Sequence, residues 1–173
     1  MMPPADHDPE LPPIATIVAT ARGAADTALR DFVADLRRRG VRVRGLLQES
    51  QPDSSGCRHL LVDIESGRHF PISQQLGSQS NACTLDTAAL VEATSVLRRI
   101  ADEGADLAVF NRFSKLESSG EGFAAEMLQV MSNGIPVLTI TPPAYLESWR
   151  HFTGGIAREL PPDAGALNDW FAA

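Results

Sequence analysis

The sequence predicts a three-layer α/β/α domain built on a mostly parallel sheet, with a β-hairpin inserted in it. Three observations carry this. Short apolar runs of strand length alternate with stretches whose apolar residues recur at helical spacing, as in 14–19 followed by Leu29, Phe32, Val33 and Leu36. Runs such as IATIVA are apolar at nearly every position, the pattern of strands covered by helices on both faces. At one place two strand-like runs are separated only by Glu65-Ser66-Gly67, a connection short enough to make that pair antiparallel.

Residues 1–13 hold five prolines and three acidic side chains with almost nothing to bury, so they read as an extended, mobile tail before a single domain over 14–173. Ile14 to Ala19 is the first buried strand, and the helix after it stops at Gly40. Val41 to Gln48 is a second strand, ended by the turn-rich QPDSSG. Cys57 to Ile64 and Arg68 to Ser73 form the hairpin, and Pro71, which has no N–H to donate, assigns its second arm to a sheet edge. Gln74 to Ala82 is polar and reads as an irregular binding loop. Asp86 or Thr87 caps a helix with Leu90, Ala93, Leu97 and Ile100 on one face. Asp106 to Phe110 is another strand. A helix with Phe123, Met127, Val130 and Met131 inside follows, then the strand Ile135 to Ile140, and Pro142-Pro143 opens a short helix through Trp149 and Phe152. Ligands of such sheets sit at the carboxyl ends of the strands, which are the loops 20–27, 111–118 and 141–144.

Composition narrows the partners. With 173 residues there is room for one sizeable core, and 43% hydrophobic with 21% charged residues is an ordinary globular balance. A net charge of −7 leaves no basic surplus for nucleic-acid phosphates or anionic lipid. Two cysteines, Cys57 and Cys83, are too few for a disulfide framework or a four-ligand zinc site, and the four histidines have no metal-ligand spacing, so no metal is expected. Neither a leader peptide nor a stretch of about 18 apolar residues is present, which places the chain in the cytoplasm.

The loop TARGAADT at 20–27 lies between the first strand and first helix, where a phosphate-binding loop belongs. A working loop reads G-x-x-x-x-G-K-[ST]: glycines let backbone N–H groups reach phosphate, lysine supplies charge and the hydroxyl holds Mg²⁺. Here Thr20 and Ala25 replace the glycines, Asp26 replaces the lysine, and Thr27 alone matches. A carboxylate at that point repels a triphosphate, although Asp26 also suits a helix N-cap.

The segments RGVRVRGLLQ, CTLD, DLAVFNRFSKLESSGEGF and GIPVLTITPPAYLESWRHFTGG carry a family resemblance over residues 14 to about 160. The chain resembles the thermophile-type P-loop nucleoside triphosphatases and, more closely, DUF2478, a bacterial group similar to degenerate relatives of them. The resemblance implies a P-loop, RecA-like fold. In the triphosphatases the strand matching DLAVF ends in an acidic pair; here Asn111-Arg112 stands there, while Lys115 and Glu117 remain. With the phosphate-gripping lysine and the metal-holding carboxylates gone, the resemblance implies the fold without the hydrolysis. It also implies a link to molybdenum metabolism, with molybdate or tungstate as the ligand in preference to nucleotide and Mg²⁺.

The replacements themselves suggest an oxyanion site. Arg112 and Lys115 bring two cations to the strand end that faces the first loop, Arg22 is a candidate third, and an arginine fork suits a tetrahedral anion. Thr20, Thr27 and Asn111 add neutral hydrogen bonds, Asp26 sits among them, and Cys83 and Glu117 are outer candidates. The plainer alternative for Arg112 and Lys115 is a pair of solvated loop cations bridging to Glu117 or Asp26 by surface ion pairs. Three readings follow: a non-hydrolytic oxyanion- or nucleotide-binding protein, a nucleoside triphosphatase or phosphotransferase with re-sited basic groups, and an interaction module whose old site is closed by Arg112 or Phe113. The aromatic pair Trp149 and Phe152 reads as core or as the contact of a homodimer.

Overall fold

The computed structural model of the chain describes residues 12–20, 23–50, 59–75 and 83–173, with backbone only at 50, 73–75 and 83–85. Arg22, Cys57 and the tail to residue 11 lie outside the described residues, as does most of the loop expected at 74–82.

The chain runs β1 (Ile14–Val18), α1 (Ala24–Arg38), β2 (Val43–Ser50), β3 (His59–Asp63), β4 (His69–Pro71), β5 (Ser73–Gln75), β6 (Cys83–Leu85), α2 (Thr87–Glu103), β7 (Leu107–Val109), α3 (Lys115–Ser118), α4 (Ala124–Ser132) and β8 (Val137–Thr141). A 3-10 turn (Pro143–Tyr145), α5 (Leu146–Phe152), β9 (Arg158–Leu160) and α6 (Ala164–Ala172) complete it. Seven strands form the main sheet in the order β4-β3-β2-β7-β8-β1-β9. From β2 to β9 every pairing is parallel, while β3 and β4 are the antiparallel hairpin and the edge strand β4 ends on Pro71. The carboxyl ends of β1, β7 and β8 therefore open on one edge of the sheet.

Helices cover both faces, so the architecture is three-layered. Alternate strand residues sort into two cores. Ile14, Leu46, Leu61, Ala108 and Val137 pack with α2, α4 and Trp149 of α5, whereas Ala15, Ile17, Val109, Leu138 and Ile140 pack under α1 and α6. The helical stripe Leu29, Phe32, Val33 and Leu36 is buried as its spacing demands. Trp149 is fully buried against Phe113 and Phe152, which makes it core rather than a dimer contact.

Two local expectations are corrected. Of the stretch Gln74 to Ala82 read as an irregular loop, Gln74 and Gln75 instead belong to β5, which pairs with β6 in a two-stranded ribbon with Gln75 opposite Cys83. Strand pairing satisfies backbone groups in polar sequence as well as in apolar sequence, which is why composition hid it. Asp26 does not cap α1: Gly23, at φ 78, is the N-cap and Asp26 lies in the first turn. The first strand begins at Ile14 as read, and the Pro13 carbonyl just ahead of it accepts from the Val137 N–H at 3.0 Å.

Asp86 does cap α2, its carboxylate accepting the Ala89 N–H at 3.1 Å. Asp86→Ala is expected to lower stability by about 1 kcal/mol, read by urea denaturation.

Candidate functional site

The open edge of the sheet is where the candidate residues gather, because the loop before α1, the loop after β7 and the turn after β8 all leave from it. At α1 the Gly23 cap provides no side-chain hydrogen bond, so among the described residues the N–H groups of the first turn have no side-chain cap and stand with the positive end of the helix dipole. Thr27 is exposed in that turn, and its own N–H donates to the Gly23 carbonyl at 3.0 Å. Thr20 is exposed just beyond β1. A cleft of about 550 Å³ runs beside them, between Gly23, Thr27 and Asp31 on one wall and Pro162 and Ala164 at the start of α6 on the other.

Arg112 crosses from the end of β7 to Asp26. Its Nη2 donates to Asp26 Oδ2 at 2.7 Å, and the two side chains keep 25% and 24% of their surface exposed. The Asp26 carboxylate and the Arg112 guanidinium thus neutralise each other. The guanidinium has five N–H donors, so the contact with Asp26 leaves others for a ligand.

The other strand-end candidates diverge. Asn111 is buried; its Nδ2 donates to Gln48 Oε1 at 3.2 Å, while its Oδ1 has no partner among the described residues. Lys115 is the exposed first residue of α3. Glu117, two residues on, is buried with 7% exposure, and its Oε2 also lacks a partner among the described residues. Burial pushes the Glu117 carboxyl from 4.5 up to about 7, with a contact to its own backbone N–H pulling the other way. Among the described residues no group of three or more His, Cys, Asp or Glu is placed to hold a metal. Likewise, no helix is long and apolar enough to cross a membrane.

Sequence reasoning missed the hydroxyls beneath this edge. In β1 and β8 the side chains of Thr16, Thr139 and Thr141 point to the α5 side, since their neighbours Ile17, Leu138 and Ile140 belong to the opposite core. Thr16 Oγ1 and Thr141 Oγ1 are 2.6 Å apart, and Thr139 Oγ1 has no partner among the described residues. The available signal was a threonine at facing positions of two otherwise apolar strands.

A family profile described as "Protein of unknown function (DUF2478)" matches residues 14–170. Over 160 residues, 91% of its length, the chain is 38% identical to the molybdenum import ATP-binding protein ModC 2 of Bradyrhizobium diazoefficiens, of which it spans only 18%. Its backbone superposes on the solution structure of a human cancer-related nucleoside triphosphatase with a TM-score of 0.68, covering 92% of this chain and 94% of the other at 17% identity. At that identity the likeness speaks for the fold, which is of the P-loop nucleoside triphosphatase type.

Proposed function

The chain belongs to the DUF2478 family, and from that premise we propose that it is a non-hydrolytic, P-loop-like cytoplasmic domain that binds a small oxyanion, molybdate or tungstate first, in the service of molybdenum import or its control. The observation that carries this reading is the Asp26–Arg112 pair. It stands at the uncapped start of α1, where the fold offers N–H donors to an anion, and it replaces the lysine chemistry that triphosphate transfer needs. A compact dianion gains the spare N–H groups of Arg112 and the helix start while tolerating one carboxylate nearby. A triphosphate, with a larger negative charge, suffers more from Asp26. The similarity to a molybdenum import ATP-binding protein over nearly the whole chain supports the choice of anion.

The contrary reading, a triphosphatase or phosphotransferase, requires a carboxylate free to hold Mg²⁺. Asp26 is engaged by Arg112, and Glu117 is buried on α3. Thr20, Thr27 and Lys115 remain the proposed auxiliary ligands beside Arg112.

Thermal unfolding with molybdate, tungstate, sulfate, phosphate, ATP and GTP, each with and without Mg²⁺, decides between them, because a ligand of the folded state raises the melting temperature by mass action. Molybdate and tungstate are expected to raise it without Mg²⁺. Arg112→Ala is expected to abolish that rise at a stability cost of no more than about 1 kcal/mol, the range of a partly exposed ion pair. Asp26→Asn, which removes the repelling charge, is expected to tighten anion binding about tenfold. A rise seen only with nucleotide and Mg²⁺ returns the enzyme reading, and no rise with any of the six leaves the interaction module.

A further inference from the structure

A cleft of about 330 Å³ runs between α2 and α4, on the side of the sheet away from α1. Its volume falls in the range of small-molecule sites, about 300–1,000 Å³. It shares no residue with the Asp26–Arg112 pair or with the cleft that Glu117 lines between α3 and α5. Leu97, Ala101 and Ala125 give it an apolar floor, and its polar lining is of both signs, Arg98 and Asp102 from α2 with Glu126 and Gln129 from α4. These polar groups are little used within the chain. Arg98 is 75% exposed, and its one ion-pair contact among the described residues is with Glu126, whose Oε1 stands 3.9 Å from Nε, beyond hydrogen-bond range. The Asp102 carboxylate, exposed one turn further along α2, makes neither a hydrogen bond nor an ion pair among the described residues. Gln129 donates from Nε2 to Asn133 Oδ1 at 3.2 Å, which leaves its own Oε1 to accept.

We propose that this cleft binds a small zwitterion, an α-amino acid with an apolar side chain, its ammonium held by Glu126, Asp102 and Gln129 and its carboxylate by Arg98. Glu126 is the anchor, and its acceptors are open. The side chain keeps only 13% of its surface exposed, and the carboxylate makes no hydrogen bond among the described residues. The side-chain atoms that are both enclosed and unpaired belong to Asn111, Glu117, Thr139 and Trp149. The Glu126 oxygens are not among these, so the surface that Glu126 keeps includes them, and the approach to Arg98 fixes Oε1 in the gap between the two helices. A carboxylate drawn this far out of water without a hydrogen bond is held at a cost, which a donor arriving in the cleft recovers. A simple anion meets two carboxylates there and a simple cation meets Arg98, whereas a molecule of both charges finds a partner for each. An ammonium has three donors, matched by the two carboxylates and the Gln129 carbonyl, and the guanidinium offers a carboxylate two parallel N–H groups. With both charged groups held, the apolar side chain comes to rest on Leu97, Ala101 and Ala125.

The test is an NMR-monitored titration of the full chain with leucine at millimolar concentration. The comparisons are isoamylamine, which has the same skeleton without the carboxylate, and isocaproate, which has it without the ammonium. Leucine is expected to perturb the amides of Ala101, Asp102, Ala125 and Gln129 and to bind at least about tenfold more tightly than either. Glu126→Gln and Arg98→Gln are each expected to weaken leucine binding by about tenfold. Ala125→Trp, which fills the cleft from an exposed lining position, is expected to block it at unchanged melting temperature. Arg112→Ala is expected to leave the titration unaltered, which separates this site from the oxyanion site. Absence of any response to leucine in the unmodified chain, equal affinity for isoamylamine or isocaproate, or unchanged affinity in Glu126→Gln, Arg98→Gln and Ala125→Trp would overturn the proposal.

Discussion

Replacing Gly45 with alanine is expected to destabilise the protein by about 4 kcal/mol or more, enough to prevent folding of a domain of ordinary stability. Gly45 lies in β2 between two strands. It is in register with Val109 of β7 on one side, and on the other its carbonyl accepts the Ile64 N–H at 3.0 Å. Its φ of +134 is a conformation that side chains rarely adopt. A Cβ there would fall 1.9 Å from the Val109 carbonyl oxygen, 2.8 Å from its carbon and 2.9 Å from its nitrogen. These are backbone atoms held in a ladder, so nothing flexible can yield, and β7 must move or β2 must unpair. Moving β7 carries Asn111 and Arg112 with it and breaks the contact with Asp26. Gly40→Ala is the internal control: φ is +82 there, but among the described residues no atom lies within 4 Å of the added methyl, so a penalty of only about 1 kcal/mol is expected. Urea denaturation of the two variants reads the difference. A Gly45→Ala protein as stable as Gly40→Ala would mean that β2 and β7 do not pair in this register.

How much of this was legible depends on whether a feature is local. The apolar strands β1, β7 and β8 and the stripe of α1 were readable because burial on both faces or on one stripe leaves a periodic trace. The hairpin and its Pro71 edge were readable because turn length and a missing donor are properties of the chain itself. The strand β9 left no such trace: Arg158 and Glu159 are exposed and only Leu160 is buried, as befits three residues on the outermost position. The helix α6 did leave one, in the Asp163 cap with Leu167 and Trp170 on one face, and it went unread.

At the candidate site, position could be inferred, while the pairing stood only as one alternative among several. That the loops at 20–27 and 111–118 share an edge follows from parallel strands, and the topology bears this out. The sequence offered Asp26 as a cap and Arg112 as a cation for a ligand or, in the plainer alternative, for an ion pair with Glu117 or Asp26. Their mutual contact joins residues 86 positions apart, from two strands with β8 between them, and no local pattern encodes it. The burial of Glu117 was hidden for a related reason. Its neighbours in NRFSKLESSG are largely polar, and the apolar surroundings come from Phe113 of the preceding loop and from α5. The twin glycines at 120 and 122 were the one local hint that backbone comes close.

Glu117 also sets an expected pH response of opposite sense to that of a salt-bridged carboxylate. Its carboxyl titrates at 4.5 when exposed and at about 7 in the folded chain. Below 4.5 both states carry the proton and the residue contributes nothing to the pH dependence. Between 4.5 and about 7 the unfolded chain has released a proton that the folded chain retains, so the unfolded state binds fewer protons and stability falls as pH rises. Above about 7 both are ionised and the loss is complete. The displacement corresponds to a total of about 3 kcal/mol at 1.36 kcal/mol for each tenfold change in proton affinity. Glu117→Gln, which cannot ionise, is expected to match the native protein near pH 4.5 and to exceed its stability by about 3 kcal/mol at pH 8. The comparison of the two proteins at each pH is the measurement, since the exposed Arg150–Glu159 pair lowers the Glu159 carboxyl and changes stability in the other direction in both. Two parallel urea-stability curves from pH 4.5 to 8 would show that Glu117 is ionised and solvated in the folded chain, whereas a gap that opens with pH would show a carboxyl kept at a standing cost beside a cleft that it lines.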